Sequence, residues 1–335
     1  MSKITTSTQD INHDDFPAHK DSLNPVDHIS KFLGLAVAQL YLFCAFITAY
    51  EVVSRYLFNS PTQWVFETVM VLCASAWMLS AGYITLHKRH IGITVIYVLV
   101  DKAKQWKLDT FAYIIGIISL WLFVDDTLVR AIESVEMVER GGTAWNSPQP
   151  LILKTMLVAG AFIYLVQLLV NIYRHFGSKI IKNIVTLFSF IIILRLVLVF
   201  IEQTFGSGGI ATSINSYFSL IGGYLEPNQY WDIRGISIGS ASMLIVGLMI
   251  LLMMTGMPLG IVTMFVSILT ALMFFGYNGM YLVSTNAFGL LEKYPLVAVP
   301  LFVLMASILE KAGVAEDLFD AMQIFAGKLR GGVAI

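Results

Sequence analysis

Apolar residues in this chain come in long unbroken runs, separated by short polar or charged stretches. A membrane-crossing helix needs about 20 predominantly apolar residues. Runs of roughly that length predict about eight crossings, at residues 32–58, 64–86, 108–138, 152–176, 180–201, 236–255, 258–276 and 295–309. The runs do not alternate polar with apolar positions as membrane barrel strands do, so they read as helices. The expected fold is an all-α polytopic membrane protein.

Three stretches depart from this pattern. The apolar part of residues 91–107 is about half the length a crossing requires. It is flanked by His87-Lys88-Arg89-His90 and by Asp101-Lys102-Ala103-Lys104-Gln105-Trp106-Lys107. Charges and an indole placed this way predict an amphipathic helix lying in the interface against lipid head groups. Residues 1–31 are polar, with Asp10, Asp14, Asp15, Asp21 and Asp27 among them, and no basic start leads into a short apolar run. They predict a disordered tail and not a secretory signal. Residues 202–235 are rich in Gly, Ser and aromatics and separate five crossings from three.

Lys and Arg placement sets the orientation, because cytoplasmic flanks carry their excess. Placing the N-terminus inside puts Lys3, Lys20, Lys31, Lys88, Arg89, Lys102, Lys104, Lys107, Arg174, Lys179, Lys182, Lys311, Lys328 and Arg330 on the cytoplasmic side. The outer side then holds only Arg130, Arg140, Lys154, Arg234 and Lys293. Both termini are expected in the cytoplasm.

Composition narrows the function. Hydrophobic residues make up 57% and charged residues 13%, against about 25% charged in an ordinary soluble domain. The net charge of −1 gives no reason to expect nucleic acid as a partner. Cys44 and Cys73 both lie in apolar runs, which excludes a disulfide scaffold and a zinc thiolate cluster. No His lies in the interior of an expected crossing, His175 standing at the very edge of one, so a haem held between helices has no axial His pair. His87 and His90 could share a helix face, yet no further His, Cys or carboxylate is near in sequence to complete a metal site. Glu51 and Arg55 are one helical turn apart and are expected to pair structurally near the outer boundary. Arg195, inside the fifth crossing, is expected to snorkel outward or to find a neighbour. Phosphate-binding glycine loops, paired catalytic carboxylates and a nucleophile elbow are absent from the sequence, so it does not read as an enzyme, and no cofactor is expected.

Several short motifs carry a family resemblance. Glu51-Val-Val-Ser-Arg55-Tyr56-Leu-Phe58-Asn-Ser-Pro61, with Trp64 and Glu67, resembles the first outer turn of the small membrane subunit of tripartite ATP-independent periplasmic (TRAP) transporters. The His90-Ile-Gly-Ile run, the segment 142–150 and Gln167 extend the likeness, so that residues 32–176 resemble that four-helix subunit. From residue 236 the chain is similar to the start of the large membrane subunit. Thr255-Gly256-Met257-Pro258 resembles its first inner turn and Val299-Pro300-Leu301-Phe302 its next long span. Gly327-Lys328-Leu329-Arg330-Gly331-Gly332 resembles the approach to its first re-entrant hairpin. Residues 177–235 match neither subunit and supply the extra crossing that a fusion requires.

The resemblance implies a membrane component for sodium-driven uptake of an organic acid. The acid would be delivered by a periplasmic solute-binding protein at the bacterial inner membrane. It implies as partners that binding protein, the remaining portion of the large subunit, and membrane lipids. Substrate and sodium would sit in hairpins that follow Gly332. Residues 236–335 are therefore expected to be an N-terminal fragment of the large-subunit-like domain, ending at Ile335 before those hairpins, and the chain is expected to supply mainly scaffold. The alternative is a structural membrane scaffold or remnant with no transport of its own.

Overall fold

The computed structural model describes residues 24–205 and 235–326. Its helices run in chain order as α1 (Pro25–Leu57), α2 (Val65–Leu86), a single short turn α3 (Val95–Leu99), α4 (Lys102–Glu136), α5 (Gln149–His175) and α6 (Lys179–Phe205). After residue 235 come α7 (Ile238–Met254), α8 (Leu259–Phe275), a 3₁₀ turn (Tyr277–Gly279), α9 (Met280–Leu291), α10 (Tyr294–Lys311) and α11 (Val314–Ala326). Helices α1, α2, α4, α5 and α6 are long and apolar enough to cross a membrane, and α7 and α8 are shorter apolar helices. The protein is an all-α polytopic membrane protein. At 1.5 Å per residue the 17-residue α7 and α8 reach about 25 Å each, a few Å short of an average hydrocarbon core.

In the N-terminal part α2 lies between α1 and α5, and α4 packs on the other side of α5. Lipid tails are as apolar as leucine, so such helices associate through close packing and internal polar bonds. Gly160 on α5 shows the closeness: a Cβ there would stand 2.5 Å from the carbonyl oxygen of Met78 on α2. Helix α6 lies mainly along α4, and α8 and α9 pack against α4 as well. One continuous core results, in which Ile117, Leu120 and Leu168 join Met257, Ile261 and Val262 of the C-terminal part.

Three expectations change on contact with the structure. Residues 25–31, expected in the disordered tail, are the first two turns of α1. Asn24 is extended and Pro25 opens the helix, where a missing amide costs nothing. The Asp27 carboxylate then accepts the Asn24 amide at 2.9 Å. The interfacial helix expected over 91–107 contracts to the five residues of α3. Residues 91–92 are instead engaged with the turn before α8, and 102–107 form the beginning of α4 after the extended Asp101. The connection between the seventh and eighth expected crossings contains a helix of its own, α9.

Candidate functional site

Contacts between the N-terminal four-helix part and α7 to α9 gather at two ends of the bundle. At the end bearing the α2–α4 connection, the Leu259 amide donates to the Ile91 carbonyl at 2.8 Å. Gly92 and Pro258 form an antiparallel bridge beside that bond. Two runs singled out in the sequence, His90-Ile-Gly-Ile and Thr255-Gly-Met-Pro258, thus meet as backbone against backbone. Each favours its glycine. A Cβ on Gly92 would lie 3.1 Å from the Gly256 oxygen and 3.2 Å from the Met257 oxygen, while Gly256 has φ +86° and faces the Tyr97 ring. Only glycine adopts that backbone conformation without strain.

His90 fixes this connection to the helices. Its Nε2 lies 2.8 Å from the Thr85 hydroxyl, and its ring stacks on Tyr164 with centroids 5.0 Å apart. Thr85 already gives its proton to the Ala81 carbonyl at 2.6 Å. The His90 Nε2 must therefore carry the proton in this bond. Burial holds the His90 pKa below the usual imidazole value, consistent with a neutral ring. His87 turns toward Tyr83 instead, so the two imidazoles do not converge. Among the described residues no group of three or more metal-ligating side chains forms. A cavity of about 210 Å³ opens beside this junction, lined by Lys88, Tyr97, Asp109, Tyr113 and Asn171 as well as by His90 and Pro258.

A buried polar chain runs from Thr85 into the four-helix part. Asn171 donates to the Thr85 carbonyl at 3.1 Å, and Gln167 donates to Asn171 at 3.3 Å and to Asp27 Oδ1 at 3.0 Å. Ser30 donates to Gln167 at 2.8 Å. Arg174 grips Asp27 with both terminal nitrogens. Asp27 and Gln167 have no exposed surface, and the Asp27 carboxylate still receives four donors. This is the arrangement that lets a charge stay inside a membrane protein. The sequence motif singles out Gln167 but gives no sign that Asp27, Ser30, Asn171 and Arg174 join it.

At the opposite end, Glu51 and Arg55 pair as their spacing predicts, with Arg55 Nε 2.9 Å from Glu51 Oε1. Glu51 does more than pair, because its other oxygen accepts the Thr62 amide at 3.1 Å together with the Thr62 hydroxyl. The carboxylate thus closes the α1–α2 turn. Tyr56 is largely exposed, and Trp64 stands 6.3 Å from Tyr50. Glu67 is buried and accepts from Ser147 of the α4–α5 connection. Arg195, expected to snorkel or to pair, meets Asp125 at 3.5 Å.

Contacts at this end also join the two parts. Asp126 accepts from Ser284 of α9 at 2.5 Å, and Arg130 lies 4.1 Å from the Tyr281 ring centre. Lys154 donates to Glu139 at 2.5 Å and lies over Phe288. Burial pushes the Glu139 pKa up, but hydrogen bonds from Lys154 and Ser134 outweigh it and leave the carboxyl below its usual range. A cavity of about 380 Å³ lies between these side chains. The adjacent pair Asp125-Asp126 was the available signal in the sequence: two carboxylates in an apolar run demand cationic partners. Pro300 is buried within α10, while Arg330, Gly331 and Gly332 lie outside the described residues.

Comparison with known proteins follows the same division. Residues 44–177 match the family described as tripartite ATP-independent periplasmic transporters, DctQ component. Residues 246–335 match tripartite ATP-independent periplasmic transporter, DctM component. Over 95 residues the chain is 30% identical to the C4-dicarboxylate TRAP transporter large permease protein DctM of Rhodobacter capsulatus. That stretch is 28% of this chain and 21% of the relative, so the chain spans about a fifth of that protein's length.

Proposed function

From a chain that belongs to the tripartite ATP-independent periplasmic transporters, with DctQ-component and DctM-component sequence in one polypeptide, we infer a membrane scaffold for secondary solute uptake. The observation that carries this reading is the Leu259 to Ile91 backbone hydrogen bond. A part that moves solute needs a part that stays still. A backbone bridge fixes the first large-component helices to the still part firmly, because it cannot relax by a change of rotamer. The continuous core across α4, α5 and α8 extends it. In this reading the four-helix component holds the first helices of the large component, and the large-component sequence beyond the matched stretch carries solute and ion.

The proposed driving ion is sodium, and the proposed solute is a small carboxylate delivered by a periplasmic binding protein. The name of the DctM relative makes a C4-dicarboxylate the first to test. The proposed setting is a bacterial inner membrane with the α2–α4 connection in the cytoplasm. Lys88, Arg89, Lys102, Lys104 and Lys107 cluster there, which supports that orientation.

Reconstitution tests the proposal. The chain, with the rest of its large component and its binding protein, is placed in proteoliposomes, and uptake of labelled C4-dicarboxylate and other small carboxylates is followed. Accumulation that needs both an inward sodium gradient and the binding protein is expected. Accumulation indifferent to both, or none with any carboxylate, would overturn the reading.

A further inference from the structure

Helix α6 lies outside both matched stretches, so neither component accounts for it, and a connection between two chains needs only length and apolarity. It carries one charge deep in its apolar run, Arg195. Successive positions on a helix point about 100° apart, and the neighbouring carboxylates Asp125 and Asp126 on α4 accordingly serve different partners. Asp126 takes Ser284 of α9 and both Nε and Nη2 of Arg130. Asp125 Oδ2 takes the Tyr277 hydroxyl, from the turn between α8 and α9, at 3.2 Å and Arg195 at 3.5 Å. The other oxygen, Oδ1, is buried and receives no hydrogen bond among the described residues. The side chains of Arg195 and Asp125 are only 15% and 12% exposed.

We propose that α6 is a charged clamp between the two components: Arg195 neutralises the Asp125 carboxylate that simultaneously accepts from Tyr277 of the large component. The charge balance carries this. Two carboxylates face two guanidiniums at this point of α4, and without Arg195 one buried negative charge is left over. Uncompensated charge in a site that lipid and protein keep dry is the costly case, whereas an Arg that merely snorkels to head groups leaves its neighbours unaffected by its loss. Arg195 is thus a positioning residue. It acts on Tyr277, and so on the α8–α9 turn, through Asp125.

The test uses the full chain with a protease site introduced between residues 206 and 234 and an affinity tag at the N-terminus. After cleavage in detergent, the C-terminal portion of the wild type is expected to co-elute with the N-terminal portion. Arg195→Leu is expected to retain measurably less of it, and the uncut variant to melt lower by about 5 °C or more. Asp125→Asn/Arg195→Leu removes both charges while keeping an acceptor for Tyr277, and should restore both retention and melting. That rescue separates charge neutralisation from packing. If Arg195→Leu does not accumulate at all, the double variant still decides, because it is expected to fold. Full retention in Arg195→Leu, or failure of the double variant to recover, overturns the clamp. The outcome is independent of whether the protein transports.

Discussion

Leu259 donates its amide to the carbonyl of Ile91 at 2.8 Å, and through that one bond two runs recognised separately in the sequence become a single structural joint. The joint is backbone on backbone, so its tolerance is set by glycine. At Gly92 any side chain meets two carbonyl oxygens that have no rotamer to yield. The chain that makes the joint also carries His90, tied through Thr85, Asn171 and Gln167 to the Asp27–Arg174 pair. Disturbance at either end of this polar chain is therefore expected to reach the other.

Glu51 is the keystone of the α1–α2 turn, and Arg55 is an accessory. Arg55 is half exposed, and Glu51 keeps the Thr62 amide when it is gone. Arg55→Ala is expected to change the yield and melting temperature of the folded protein little. Glu51→Ala frees Thr62 and Arg55 together and is expected to lower both clearly. Equal effects of the two substitutions, in parallel melts in one detergent, would contradict this assignment.

Gln167 has no exposure and holds Ser30, Asp27 and Asn171 at once. Gln167→Leu keeps much of the volume but strands a buried hydroxyl and removes one donor from a buried carboxylate. A loss of about 2 kcal/mol is expected from such unsatisfied groups. Gln167→Glu adds a second buried acid beside Asp27 and should cost more. Reversible unfolding of both variants provides the check.

His90 gives stability a pH dependence with a definite sign. Its folded pKa is held by burial below the ordinary value of 6.5, so the unfolded chain binds the proton first as pH falls. Its contribution is fully present above pH 6.5 and is lost progressively below it, toward the folded pKa. The melting temperature is expected to decline more steeply below that point in the wild type than in His90→Gln. Parallel declines would show that the ring is not held neutral.

The proposed orientation makes a labelling prediction. Positions 104 and 145 are both exposed, at opposite ends of the bundle, and the native cysteines Cys44 and Cys73 are buried. In intact cells an impermeant thiol reagent is expected to label Trp145→Cys and to leave Lys104→Cys unlabelled. The reverse pattern would invert the topology.

Much of this molecule was legible from its apolar runs, because length and hydropathy decide a membrane helix almost locally. The expected crossing at 64–86 differs from α2 by one residue at its start, and that at 258–276 brackets α8. Helix α9 was hidden for the same reason. It has only 12 residues, with Ser284, Thr285 and Asn286 in their midst, and reads as a polar connection until Asp126 and Arg130 supply partners. Asp27 looks in the sequence like one acid among several in a polar tail, since nothing near it announces Arg174. The His90 and Pro258 runs were each visible, but their meeting was not, because a backbone bridge leaves no side-chain pattern behind.

The most direct test is the proposed sodium-driven uptake with Gly92→Val, measured beside the wild type in proteoliposomes that also hold the rest of the large component and the binding protein and are matched for the amount of inserted protein. The substitution is expected to cost roughly 1–3 kcal/mol through overpacking at the joint while leaving the long helices to insert normally. Uptake is expected to collapse although the protein remains in the membrane. Uptake at the wild-type rate would show that the joint between Ile91 and Leu259 is not what anchors the first large-component helices to the proposed scaffold.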